Sequence, residues 1–378
     1  MNDHYCPLIF KGMYVERHSA DTSLVAPCCA ATGQVVNNSQ VNFDTNPLLS
    51  RLRVENQAGI ASKECKVCWD QEKYTGRSLR TSSIEYYHDS QHTPYQLSGA
   101  QELLWNVEPI CNAKCIICSS YHSSSWAAED KKFIPDAALP VRTASLAKSN
   151  SIIDVVDFST IKRVYFNGGE PVLSQDPELI LQKLADSGNL ENTEIAFNMN
   201  GSCMPSKNLI ALLKTAKRVN VFVSIDGTDQ QFEYIRYPLN WVQVKSNIDQ
   251  IMQLGFDEIC MSTALGIHNI HIAQRNEDWW NDFTKSYRGQ IKINNTYQLV
   301  VGLLGINMAS NTLKDQLLID LQGTSGSVAE LVINCLESCT GNDQWIDRLD
   351  ELDRRRSLSW RQTFPELYLA VQRAESAK

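Results

Sequence analysis

The sequence has no run approaching the roughly 20 uncharged apolar residues that a membrane-spanning helix needs. Its start, MNDHYCPLIFKGMYVERH, lacks the basic flank, apolar run and small-residue cleavage site of a secretory signal. A soluble, cytoplasmic protein with no membrane partner is expected. Dense blocks of Lys and Arg are also missing, apart from Arg354-Arg355-Arg356, which reads as a solvated face. The net charge of −8 repels a phosphate backbone, so nucleic acid is a poor partner. No internal repeat is found. Cysteine, by contrast, is abundant, with 12 in 378 residues. A reducing cytosol disfavours disulfides, so clustered cysteines point to metal binding or catalysis.

The length exceeds what one compact core normally reaches, which favours a large domain with a smaller appendage. From about residue 101, short apolar runs alternate with amphipathic stretches, the pattern of parallel β/α units. ELLWNV (102–107), KRVYFN (162–167), EIAFNM (194–199), VNVFVSI (219–225), EICMSTAL (258–265) and YQLVVGLL (297–304) are the expected strands. Six strands in β/α order predict a partial (β/α)6 barrel of class α/β. PELILQKLADSG and SKNLIALLKTAKR carry apolar residues at the three-and-four spacing of helices. The polar segment 119–150 is long for a βα connection and reads as a lid or an insertion. From about residue 325 the tail reads as helices.

Directly after the first expected strand comes Cys111-x-x-x-Cys115-x-x-Cys118. A cubane iron–sulfur cluster takes one thiolate per iron, so three cysteines leave one iron open to chelate a small molecule. Structural zinc wants four ligands, and only His122 is near enough in sequence to be the fourth. The second strand ends in YFNGGEPVL, where Gly168 and Gly169 free the backbone to expose polar groups, or form a plain turn with Pro171 opening a helix. NMNGS (198–202) and SIDG (224–227) fall at later strand ends, where α/β barrels place their sites. Asn200 and Ser224 are therefore binding candidates, against the alternative that these are simple turns. Arg236 in EYIRYP is a carboxylate-binding candidate or a structural ion pair.

In the N-terminal segment, Cys6, Cys28, Cys65 and Cys68 can close a four-thiolate site, with Cys29 a substitute for Cys28 or a bystander. Spacing leaves an auxiliary iron–sulfur cluster and a four-cysteine zinc site equally open. Cys203 and Cys260 read as buried small residues. Cys335 and Cys339 share a helix face, as a metal pair or by packing. His268 and His271 read as structural.

The three-cysteine loop after a strand, with GGEP beginning fifty residues beyond Cys118, resembles the radical S-adenosylmethionine (SAM) superfamily. That resemblance implies a [4Fe-4S] cluster on Cys111, Cys115 and Cys118. Its open iron would bind SAM, whose reductive cleavage gives a 5′-deoxyadenosyl radical that abstracts hydrogen. It implies that Gly168, Gly169, Glu170 and Pro171 hold the methionine amino group, and that Asn200, Ser224 and Arg236 contact the SAM ribose or carboxylates. The family commonly has an aromatic residue before its third cysteine, where this chain has Ile117, so one adenine contact is altered.

The order of Cys-Pro, Pro-Cys-Cys, C-x-x-C and cluster loop, with SSSW, EYIRYPLNW and FPEL beyond it, is similar to twitch-domain radical SAM proteins. Here the twitch-like segment is N-terminal to the barrel. The resemblance implies an auxiliary [4Fe-4S] cluster on Cys6, Cys28, Cys65 and Cys68. It gives domains at 1–98 (twitch-like), 99–322 (barrel) and 323–378 (helical extension). The implied activity is of oxidoreductase type on a peptide, with a flavodoxin or ferredoxin as reductant. The alternatives are a sugar or aminocyclitol dehydrogenase or epimerase, and a zinc or iron–sulfur binding protein without catalysis.

Overall fold

A computed structural model describes residues 3–19, 21–88, 98–106, 108–135, 152–322, 326–337 and 341–377. The chain divides into two compact units. One comprises Met1–Ile110, Pro140–Asn198 and Pro205–Asn220, the other Cys111–Leu139, Met199–Met204 and Val221–Lys378.

In the first unit, Pro7 opens a short helix, Pro7–Lys11, where its missing N–H costs nothing. The helix runs straight into β1 (Gly12–Arg17). Only glycine fits this junction, because a Cβ on Gly12 would lie 2.4 Å from the Pro27 carbonyl oxygen. β2 (Thr22–Ala26) folds back antiparallel on β1, with Tyr14 opposite Ala26, and β3 (Gln34–Asn37) folds back on β2. The other edge of β1 pairs in parallel with β4 (Glu102–Asn106), Tyr14 opposite Leu104. β5 (Arg163–Asn167) and β6 (Glu194–Met199) continue in parallel, giving the order β3-β2-β1-β4-β5-β6.

All six residues of β1 are buried, including two charges. Buried charges need partners. Arg17 pairs with Glu108 and, at 3.3 Å, with Asp176, which also accepts from Trp105 Nε1 at 2.9 Å. Glu16 accepts from the Tyr14 hydroxyl and from Asn106. The helix Asp176–Asp186 buries Ile180, Leu181 and Leu184, the single apolar stripe its spacing predicts.

β7 (Arg218–Ser224) ends in the second unit. Just past it, the Ile225 N–H donates to the Ser262 carbonyl of β8 (Glu258–Leu265) at 3.0 Å. β8 pairs in parallel with β9 (Lys292–Leu299), from Glu258 opposite Lys292 to Leu265 opposite Leu299. Helices Trp241–Gln253 and Ala273–Phe283 follow β7 and β8. The C-terminal helices include Asn311–Asp320, Trp345–Arg356 and Pro365–Ser376, and they enclose a core in which Trp126, Trp345, Trp360 and Phe364 are fully buried. No described helix is long and apolar enough to cross a membrane.

The fold is thus mixed α/β with parallel strands followed by helices, as expected, and five of the six expected strands stand where the apolar runs put them. The sixth does not. β9 occupies Lys292–Leu299 rather than 297–304, because Gly302 at φ +86° turns the chain away and the strand KINNTYQL lacks apolar alternation. The strands β1 to β3 were not anticipated. Of the Arg354–Arg356 run, only Arg354 is solvated. Arg355 pairs with Asp130 at 2.9 Å and the buried Arg356 with Glu129 at 3.2 Å, both on the helix Ser124–Phe133, and Arg356 lies 4.6 Å over the Trp126 ring. That helix is part of the candidate lid 119–150, and its buried Trp126 anchors it in the core, so the lid reading does not extend to it. Residues 136–150 lie outside the described residues.

Candidate active site

The loop carrying Cys111, Cys115 and Cys118 is shaped by backbone and side-chain hydrogen bonds. The Cys118 N–H closes the turn on the Cys115 carbonyl at 2.9 Å, and the Ile116 N–H donates to the Ile235 carbonyl at 2.9 Å. The stretch Ser123–Trp126 satisfies the loop's carbonyls from one side. Ser123 Oγ donates to Ala113 O at 2.7 Å, Ser125 Oγ to Cys111 O at 2.7 Å, and Trp126 Nε1 to Cys115 O at 2.8 Å. SSSW was visible in the sequence, but its role as a carbonyl clamp was not. His122, considered as a fourth zinc ligand, is exposed, its ring edge-on to Tyr121 at 4.9 Å.

Cys115 is buried, which raises its thiol pKa, while Arg236 opposes the rise with Nη1 3.9 Å from the sulfur. Burial pushes Cys118 up to about 12, with Cys115 and Cys111 adding to it. Cys118 therefore sits close enough to Cys115 and Cys111 to feel both, and Cys115 sits beside a buried cation. Arg236 pairs with the fully buried Asp226 at 2.7 Å. Burial alone would lower the guanidinium pKa, but Asp226 and Cys115 outweigh it. Burial raises the Asp226 pKa, against Arg236 and the Ala264 N–H at 2.7 Å. Of the two sequence readings for Arg236, the ion pair is formed, and the same guanidinium reaches Cys115. Asp226, the third residue of SIDG, was missed because the motif was read for Ser224.

Removing one partner of a buried ion pair strands the other charge, at about 3–5 kcal/mol. Asp226→Ala is accordingly expected to destabilise the metal-free protein by about that amount, measured as a shift of the urea midpoint. An unchanged midpoint would mean the pair contributes nothing.

Asn200, just past β6, donates to Asn112 Oδ1 in the cysteine loop at 3.0 Å, and the Asn112 amide donates to Ser202 Oγ at 2.8 Å. Ser224 is half-buried at the C-terminal end of β7. The cysteine loop, Asn200, Ser224 and Arg236 thus all belong to the second unit. Gly168 to Pro171 belong to the first, where Gly168 adopts φ +125° after β5. A Cβ on Gly169 would lie 2.3 Å from the carbonyl oxygen of Ile110, the residue before Cys111, and the Glu170 N–H donates to that oxygen at 2.7 Å. Pro171 opens a single helical turn, Pro171–Leu173.

Cys6, Cys28, Cys65 and Cys68 line one small apolar cavity of the first unit, with Leu8, Ile9, Ala31 and Trp69. Cys6 precedes the helix Pro7–Lys11, Cys28 follows β2, and Cys65 and Cys68 lie on the turn into and the first turn of the helix Lys66–Thr75. Burial pushes Cys6 up to about 12 and Cys65 up to about 11, with neighbouring thiols adding to both. Of the adjacent pair, Cys28 lines the cavity and Cys29 is exposed, although Cys68 acts on Cys29 too. Among the described residues no three His, Cys, Asp or Glu side chains converge on one metal-ion position. A cubane is held differently, with one thiolate on each iron.

Cys260 and His268 are buried, His271 and Cys203 are partly buried, Cys335 packs against the C-terminal core, and Cys339 lies outside the described residues.

Residues 105–278 match the family model described as Radical SAM superfamily. No curated protein matches the chain. Among solved structures, Streptococcus suis SuiB bound to S-adenosylmethionine is 10% identical, with TM-score 0.33, over 76% of this chain and 72% of that one. SuiB bound to the precursor peptide SuiA is 13% identical, with TM-score 0.37, over 90% and 75%. Native anSMEcpe with bound AdoMet is 15% identical, with TM-score 0.39, over 65% and 64%.

Proposed function

We propose that this chain is a radical SAM enzyme that abstracts hydrogen from a peptide. The observation that carries the reading is the cysteine loop itself. Three thiols on one hydrogen-bonded loop, one of them buried against a paired arginine, lie in the span that matches the Radical SAM superfamily. The donor set fits a [4Fe-4S] cluster with one open iron: three sulfurs on a tight turn, with Arg236 offsetting the negative charge they would bring. When bound, the cluster and SAM supply a 5′-deoxyadenosyl radical, and a flavodoxin or ferredoxin would supply the electron.

The protein's own groups do the rest. Cys111, Cys115 and Cys118 anchor the cluster, and Ser123, Ser125 and Trp126 fix the loop by holding its carbonyls. Gly168 and Gly169 let the backbone before Glu170 come close to a ligand, with Glu170 and Pro171 completing the turn. Asn200, Ser224 and Arg236 are the polar contacts for the SAM ribose and carboxylates. Cys6, Cys28, Cys65 and Cys68 hold an auxiliary [4Fe-4S] cluster, supported by their convergence on one apolar cavity. On this reading 1–98 is the auxiliary module, 99–322 the barrel and 323–378 the helical extension of a cytoplasmic oxidoreductase-type enzyme.

Incubation with SAM, reductant and deuterated candidate peptides, sugars and RNA tests the substrate class. Deuterium is expected in 5′-deoxyadenosine from a peptide. Transfer from a sugar alone would favour a dehydrogenase or epimerase of that class, and transfer from RNA alone would overturn the proposal.

A further inference from the structure

The four-cysteine cavity has one cationic wall. Arg80, on the helix Leu79–His88, lines it together with Cys6, Cys28, Cys65 and Cys68. Its side chain is largely buried and held from three directions. It donates to the carbonyl of Tyr5, the residue before Cys6, at 2.9 Å. Its guanidinium stacks 4.7 Å from the ring of Trp69, the residue after Cys68. Glu72 accepts from two of its nitrogens, at 3.0 and 2.5 Å. Arg80 thus joins the segments that present Cys6 and Cys68, and its side chain lines the cavity between the sulfurs. Glu72, with Cys6 and Cys68 adding, keeps the guanidinium protonated against the opposing effect of burial. Of the other charges nearby, Lys66, Asp70 and Lys73 are on the helix Lys66–Thr75 and pair with one another, while Glu64 and Glu55 act on Cys65.

We infer that Arg80 is a positioning residue for the four-cysteine site, its charge holding the potential of the auxiliary cluster above the value that four thiolates alone would set. The inference rests on the auxiliary-cluster reading given above. A four-thiolate cluster gains one negative charge on reduction, and a fixed cation in a poorly solvated cavity favours the more negative state. Glu72 works in the opposite sense, so the two side chains make a matched pair of opposite levers. A purely architectural Arg80 would tie the segments together with no ordered effect on potential.

The test uses the full chain with Cys111, Cys115 and Cys118 all changed to Ala, reconstituted with iron and sulfide, so that only the auxiliary site can contribute a signal. Iron analysis comes first. About four irons per chain are expected, and zinc or no iron overturns the cluster reading and this inference with it. If the cluster is present, redox titration followed by electron paramagnetic resonance should place Arg80→Gln at a more negative potential, Glu72→Gln at a more positive one, and Arg80→Lys close to the parent. An unshifted potential in Arg80→Gln at full iron loading, or shifts of one sign in both neutral variants, would overturn the role of Arg80 and leave the cluster reading standing. Should Arg80→Gln fail to fold, Glu72→Gln still decides, since a potential that does not rise contradicts the paired-lever account.

Discussion

With Cys115 replaced by alanine, the reconstituted protein is expected to release no 5′-deoxyadenosine above background from SAM and dithionite. Cys115 is the most buried of the three loop cysteines and the one facing Arg236, so on the proposed reading its loss would remove a cluster anchor. Chromatography of the nucleoside products reads the result directly. Full activity in Cys115→Ala would sink the assignment of the loop. A companion measurement separates the two sulfur sites. Wild-type protein is expected to hold roughly eight irons and the triple Cys111/Cys115/Cys118→Ala variant roughly four, because the N-terminal thiols are ligands on their own segments. Loss of all iron in the triple variant would overturn the auxiliary cluster.

Gly169→Val is expected to cut the rate of SAM cleavage by at least about tenfold, the equivalent of about 1.4 kcal/mol. The contact a side chain would make there is with the backbone of Ile110, at 2.3 Å for Cβ alone, and backbone cannot swing aside as a flexible side chain can. Overpacking of this kind costs about 1–3 kcal/mol, and the displaced peptide leads directly into Cys111. Iron at the loop site should therefore fall along with the rate, while iron at the N-terminal site serves as the internal control. Gly168→Ala is the comparison, since Gly168 adopts φ +125°, a conformation that strains a side chain. A wild-type rate in Gly169→Val would mean that the close approach of the two turns is unnecessary.

The chemistry-bearing part of this molecule was more legible than its architecture. Cysteine spacing is a local property, and the loop at 111–118 could be read from eight consecutive residues. So could β4 to β8, whose apolar runs are continuous because parallel strands are covered on both faces. β1 escaped notice because GMYVER ends in two charges, and only partners 90 and more residues away, Asn106, Glu108 and Asp176, make its burial tolerable. No periodicity within the segment encodes those pairings. β9 was misplaced for the opposite reason, since its half-buried polar face has no pattern that distinguishes it from a loop. Arg355 and Arg356 look like solvent-facing charges until Asp130 and Glu129 are brought opposite them. Cys28 and Cys29 are adjacent and chemically identical, so the choice between them needed the direction of the chain after β2.

The parallel pairing of β1 with β4 also orders events during synthesis. Arg17 and Glu102 are 85 residues apart, so β1 leaves the ribosome roughly 4–17 s before its parallel neighbour at common elongation rates of about 5–20 residues per second. Until then its outer edge is an open template for the wrong strand. The cysteines around it wait less, because Cys68 emerges well ahead of Glu102. The N-terminal thiol cavity therefore has all four of its sulfurs outside the ribosome before the sheet that carries them can close. Metal captured at that stage would tie the β1–β2 hairpin to the helix Lys66–Thr75 while β4 is still being made, and so hold the exposed strand in place for the partner to come.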